Sequence, residues 1–187
     1  MIVNNKLIED GTYSKDITLW YRGSSRSNPL DIEDGVSYNT TEQYGPGIYF
    51  TNRYETAVNY GNVSLYKMSI KNIYTNKDRI DIKKIKEIIE YCNAEDLEMV
   101  LSDWDEDYIE KPNIALDKLL LSIKKYSKNM PDALAQIAHD VFRHDAKEFL
   151  MCCRAADVVI ESPNAYNEEY YLVLYNPKLA KLVDSNI

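Results

Sequence analysis

Apolar positions change their period twice along this chain. Up to about residue 75 they come in short runs: Ile-Thr-Leu-Trp-Tyr-Arg-Gly at 17–23, Gly-Ile-Tyr-Phe-Thr at 47–51, and Val63 through Tyr74. These runs are β-branched or aromatic and bounded by turn formers, which predicts strands. Residues 52–61, Asn-Arg-Tyr-Glu-Thr-Ala-Val-Asn-Tyr-Gly, predict a short helix instead. Asn52 is its expected cap, Glu55 stands three residues on, and Gly61 follows the last helical position.

From about residue 80 to 155 the spacing becomes three and four. The segments 81–92, 94–104, 113–126 and 131–155 all carry it, with Pro112 and Pro131 near helix starts. Three or four helices are expected. Strand texture then returns in Ala-Asp-Val-Val-Ile-Glu-Ser (156–162) and in Tyr-Tyr-Leu-Val-Leu-Tyr-Asn (170–176), which Pro177 stops. The order strands, helices, strands predicts a single α+β domain over 1–187. Its sheet would draw on residues 1–78 and 155–187, around a helical insertion at about 79–154.

Composition narrows the partners. The chain has 187 residues and is 45% apolar and 28% charged, as a folded domain is. Its 22 basic and 30 acidic residues leave a net charge of −8, so nothing draws it to nucleic acid in general. The lysines of 82–91 alternate with glutamates and read as a solvated helix face. Sixteen tyrosines suit grooves and half-wet surfaces. Of the three cysteines Cys92, Cys152 and Cys153 two are adjacent, so no disulfide framework is expected, which fits a reducing compartment. No apolar run reaches the roughly 20 residues of a membrane span, and the start lacks the regions of a signal peptide. A cytoplasmic protein with no membrane contact is expected.

Three stretches can carry chemistry. In Leu-Trp-Tyr-Arg-Gly-Ser-Ser (19–25) a strand ends by presenting Arg22, a fork of donors for phosphate or ribose oxygens. Gly23 beside it lets a ligand approach the backbone. Gly45-Pro46-Gly47 turns into a strand carrying Tyr49, and the helix after it returns Tyr60, eleven residues on. Two such rings can hold a flat aromatic ligand between them. In the last stretch, side chains 169, 171, 173 and 175 share one strand face, with Glu169 and Tyr171 at its entry.

In order and internal spacing these stretches resemble the ADP-ribosyltransferase superfamily. The match lies in Trp20-Tyr21-Arg22-Gly23-Ser24, in Gly45-Pro46-Gly47-Ile48-Tyr49-Phe50 with Tyr60, and in Glu168-Glu169-Tyr170-Tyr171-Leu172-Val173-Leu174-Tyr175-Asn176. The second motif is like that of the poly-ADP-ribose polymerase branch, and the resemblance covers about 17–75 and 155–183. It implies a split, two-sheet β core with NAD as substrate. Arg22, Gly23 and Ser24 would contact NAD, with Gly23 clamping the nicotinamide amide through its backbone. Tyr49 and Tyr60 would stack on the nicotinamide ring. Glu169 would hold the ribose 2′-hydroxyl and favour the oxocarbenium-like transition state.

Arg22 stands where the polymerase branch has histidine, a choice similar to that of the arginine-first branch, whose Ser-Thr-Ser motif is absent. This mixed type implies mono-ADP-ribosyl transfer or NAD hydrolysis. Counted back from Asn176-Pro177, the family's glutamate falls at Tyr171. Either the strand slips by two and Glu169 is catalytic, which is the favoured assignment, or Tyr171 has replaced it. The acceptor would be a macromolecule, protein before nucleic acid given the acidity. Two alternatives stand: an inactive relative that binds NAD, ADP-ribose or a protein, and a nucleic-acid-modifying transferase of the same fold. The chain is compatible with a bacteriophage- or bacterium-encoded effector. No metal is expected. Asp103, Asp105 and Asp107 begin like a calcium loop but meet Tyr108 where glycine is required, and His139 and His144 do not share a helix face.

Overall fold

The computed structural model describes residues 8–9, 12–13, 19–25, 30, 47–68, 73–75, 77–90, 112–140, 157–161, 169–185 and 187. The expected turn at Gly45-Pro46, the acidic run 103–110, His144, the three cysteines and Glu168 lie outside them.

Among the described residues the strands are β1 (Ile8–Glu9), β2 (Thr12–Tyr13), β3 (Leu19–Ser24), β4 (Ile48–Thr51) and β5 (Asn62–Met68). They continue with β6 (Ile73–Tyr74), β7 (Asp157–Glu161), β8 (Tyr170–Leu174) and β9 (Ala180–Ser185). The helices are α1 (Tyr54–Val58), α2 (Ile82–Glu90), α3 (Pro112–Tyr126) and α4 (Met130–Asp140). The class is α+β. Seven strands join in one sheet in the order β6-β7-β8-β4-β3-β5-β9, and β1 pairs β2 separately. β6 and β7 run parallel, and the other neighbours in the sheet are antiparallel.

The chain divides into two compact units. One comprises 1–32, 47–77 and 154–187, and the other 33–46 and 78–153. The second holds α2, α3 and α4, which pack on one another through residues such as Ile85, Ile89, Leu119, Ile123, Leu134 and Ile137. Lys84 to Glu87 at 3.6 Å and Lys86 to Glu90 at 3.8 Å lace the wet side of α2. Asn129 accepts from the Asp132 N–H at 2.9 Å and starts α4. Among the described residues no helix is long and apolar enough to cross a membrane.

In the first unit the expected two-sheet core takes a different form. β3 keeps six ladder pairs with β5, and β4 keeps four with β8, yet β3 and β4 share a single pair among the described residues, Tyr21 with Thr51. The sheet is continuous but parted along this seam, because each strand stays with its outer neighbour. The two faces differ. Trp20, Ile48, Phe50, Tyr66, Met68, Leu172 and Leu174 form a dry core on one face. The buried Trp20 indole N–H has no hydrogen-bond partner among the described residues. On the other face α1 packs on β3, β4 and β5 through Ala57, against Tyr21 and Val63.

Three local expectations come out otherwise. The run 63–74 is two strands, β5 and β6, in different places in the sheet. Asn52 does not cap α1, since the cap position is Arg53 with no side-chain bond. Asn52 is instead fully buried and extends the β4–β8 ladder: its N–H donates to the Tyr170 carbonyl at 3.2 Å, and its side-chain oxygen accepts from the Tyr170 N–H at 2.8 Å. β9 was not expected. Asn176 accepts from Lys178 N at 3.2 Å, folding Pro177–Leu179 into a 3-10 turn that returns the chain along β5.

Candidate functional site

The seam leaves backbone groups to satisfy. Val63 faces Gly23 across β3 and β5, but its carbonyl accepts from the Ile187 N–H at 3.1 Å on the far side. In an antiparallel ladder the N–H and C=O of a residue point the same way, so Gly23 and Val63 form a non-hydrogen-bonded pair. The N–H and C=O of Gly23 therefore point toward the seam. From the opposite bank the Tyr49 carbonyl also points into it, where the Arg22 guanidinium donates to it at 2.9 Å.

Gly23 is glycine for a steric reason as well. A Cβ there would lie 1.7 Å from the Ala57 carbonyl oxygen and 3.2 Å from the Tyr60 Cβ. The last turn of α1 is seated directly on β3. Gly61, at φ +123°, then ends the helix against the Ser24 carbonyl, in a conformation that favours glycine. Tyr60, 64% exposed, is thereby held next to Gly23.

Across the seam, alternation and register put Tyr49 beside Val173 and Thr51 beside Tyr171 on the face that α1 covers. Glu169 lies one step beyond the start of β8 on this same face. One of its oxygens, Oε1, accepts from the Thr56 hydroxyl of α1, and also from the Tyr171 hydroxyl at 3.2 Å. Burial, then the Glu169 charge and hydrogen bond, then nearby Tyr60 push the Tyr171 phenol up to about 12. Tyr171 is thus a neutral donor to a carboxylate over the whole physiological range.

Of the expected residues, the structure brings Gly23, Tyr49, Tyr60, Glu169 and Tyr171 to the helix-covered face around the seam. Arg22 and Ser24 are not among them. Alternation turns both onto the opposite face, where Arg22 lies 5.8 Å from the centre of the Phe50 ring and Ser24 is buried. Arg22 reaches the seam through its bond to the Tyr49 carbonyl. Sequence reasoning missed Thr56, a polar residue on a predicted helix whose partner lies 113 positions away. Comparison with family models, with curated proteins and with solved structures finds no match for this chain.

Proposed function

We propose that the protein is an NAD-dependent mono-ADP-ribosyltransferase with an ADP-ribosyltransferase-like core. The observation that carries the reading is the parted seam: it has the Gly23 amide groups on one bank, Tyr49 and the Glu169–Tyr171 pair on the other, and Tyr60 over the top. A planar carboxamide ring suits these walls. It can exchange hydrogen bonds with one peptide group while aromatic rings cover it.

In this reading Glu169 takes a hydrogen bond from the ribose 2′-hydroxyl and stabilises positive charge growing at the anomeric carbon. The bond from that carbon to the nicotinamide nitrogen breaks, and its electron pair returns to the ring. A nucleophile of the acceptor, protein before nucleic acid, bonds to the anomeric carbon and releases its proton. Water serves when no acceptor is present. Electrostatic help at developing charge contributes roughly 2.7–4 kcal/mol per group, or 10²–10³ in rate. The test is nicotinamide release from NAD by wild type and by Glu169→Gln. A drop of about two orders of magnitude with unchanged folding is expected. Equal rates remove Glu169 from the reaction.

A second reading is an inactive relative that binds NAD, ADP-ribose or a protein. It is favoured by Arg22, which is engaged with the Tyr49 carbonyl from the far face rather than turned to a ligand. Calorimetry with NAD beside the turnover assay separates the two, since binding without nicotinamide release supports the second.

A further inference from the structure

We infer that Thr56 is a positioning residue that sets the direction of the Glu169 carboxylate, an inference that rests on the transferase reading above. Two hydroxyls, from Thr56 on α1 and Tyr171 on β8, both donate to Glu169 Oε1. A carboxylate accepts at both oxygens, so fixing Oε1 from two sides orients Oε2 as the atom left to meet a ligand hydroxyl. The two donors come from different elements, one on the sheet and one on the helix above it. Glu169 itself stands just outside β8. Tyr171 alone would let the carboxylate pivot about one contact, and the Thr56 bond removes that freedom.

Thr56 touches no reacting atom in this arrangement. It acts through Glu169, and its seat depends on α1 resting on Gly23. The seating of α1 and the aim of the carboxylate are therefore coupled, and a ligand that shifts the helix would also shift Glu169.

The experiment compares wild type, Thr56→Val and Thr56→Ser, with nicotinamide release from NAD and a crystal structure of each. Valine keeps the shape and removes the donor. We expect Thr56→Val to lower kcat about tenfold or more while KM for NAD stays within about twofold, as misdirection of a correctly bound group does. Its structure should show the carboxylate turned from its wild-type direction, and Thr56→Ser should restore both. A carboxylate unmoved in Thr56→Val overturns the inference. Absence of nicotinamide release from wild type overturns the transferase reading instead, and the carboxylate direction in the structures then decides the role of Thr56 alone.

Discussion

The two faces of the strands β3, β4 and β8 are made of neighbouring residues and do different work. On one face Trp20, Phe50 and Leu172 meet Ile48, Tyr66 and Leu174 side chain to side chain, and the polar side chains of Arg22, Ser24 and Ser64 follow toward the other end of β3 and β5. On the other, a short helix rests on Gly23 through the Ala57 carbonyl and on Tyr21 and Val63 through the Ala57 side chain, and its Thr56 hydroxyl donates to the Glu169 carboxylate. A dry interface can relax by shifting rotamers. The contact of Gly23 with the Ala57 carbonyl is backbone against backbone and cannot, so the helix-covered face tolerates less change at that point. That rigidity is what a binding site requires.

The sharpest way to break this comparison is Gly23→Ala. The added methyl meets the Ala57 carbonyl, main chain that cannot rotate away. Overpacking of this kind typically costs 1–3 kcal/mol, and here we expect about 3 kcal/mol or more by chemical denaturation. A loss under about 1 kcal/mol would mean that α1 is not seated on β3.

Arg22 tests the division itself, being a charged residue on the dry side. Arg22→Met keeps the aliphatic stem and removes the donor to the Tyr49 carbonyl. A hydrogen bond from a charged group contributes roughly 1.5–3 kcal/mol, and stability should fall toward that range. In the transferase reading nicotinamide release should fall less than about tenfold, far less than for Glu169→Gln. A large rise in KM for NAD with stability unchanged would instead make Arg22 a ligand contact.

Much of this was legible in the sequence because strands repeat every two residues. That period places 169, 171, 173 and 175 together, and it also makes Arg22 and Gly23 point opposite ways. What the period cannot say is which face receives α1, and so the sequence groups Arg22 with Gly23 although the strand sets them on opposite faces. Asn52 reads as a helix cap, but two bonds to the Tyr170 backbone, 118 positions away, one from its own N–H and one to its side-chain oxygen, outcompete the local role. β9 hid because Val183 is an extra residue: Leu65 pairs with Asp184 and Tyr66 with Leu182, so the alternation breaks mid-strand. Thr56 could not be read at all, since its importance lies wholly in a distant carboxylate.

The smallest effect is confined to high pH and isolates the contact between Tyr171 and Glu169. The Tyr171 phenol, ordinarily near 10.0, is raised to about 12 by burial first and by Glu169 second. Because the folded value lies above the unfolded one, the stability this contributes is complete below pH 10 and is lost as pH rises through about 12. Tyr21 and Tyr66 are also raised, mainly by burial, so the overall alkaline transition contains all three. The difference between wild type and Tyr171→Phe cancels the other two: the stability gap should stay constant below pH 10 and change between 10 and about 12. Glu169→Gln should then move the Tyr171 midpoint, followed by ultraviolet absorbance, only part of the way down, because burial persists when the charge is gone. If that substitution leaves the midpoint where it was, burial alone accounts for the shift, and the carboxylate is not held against the phenol.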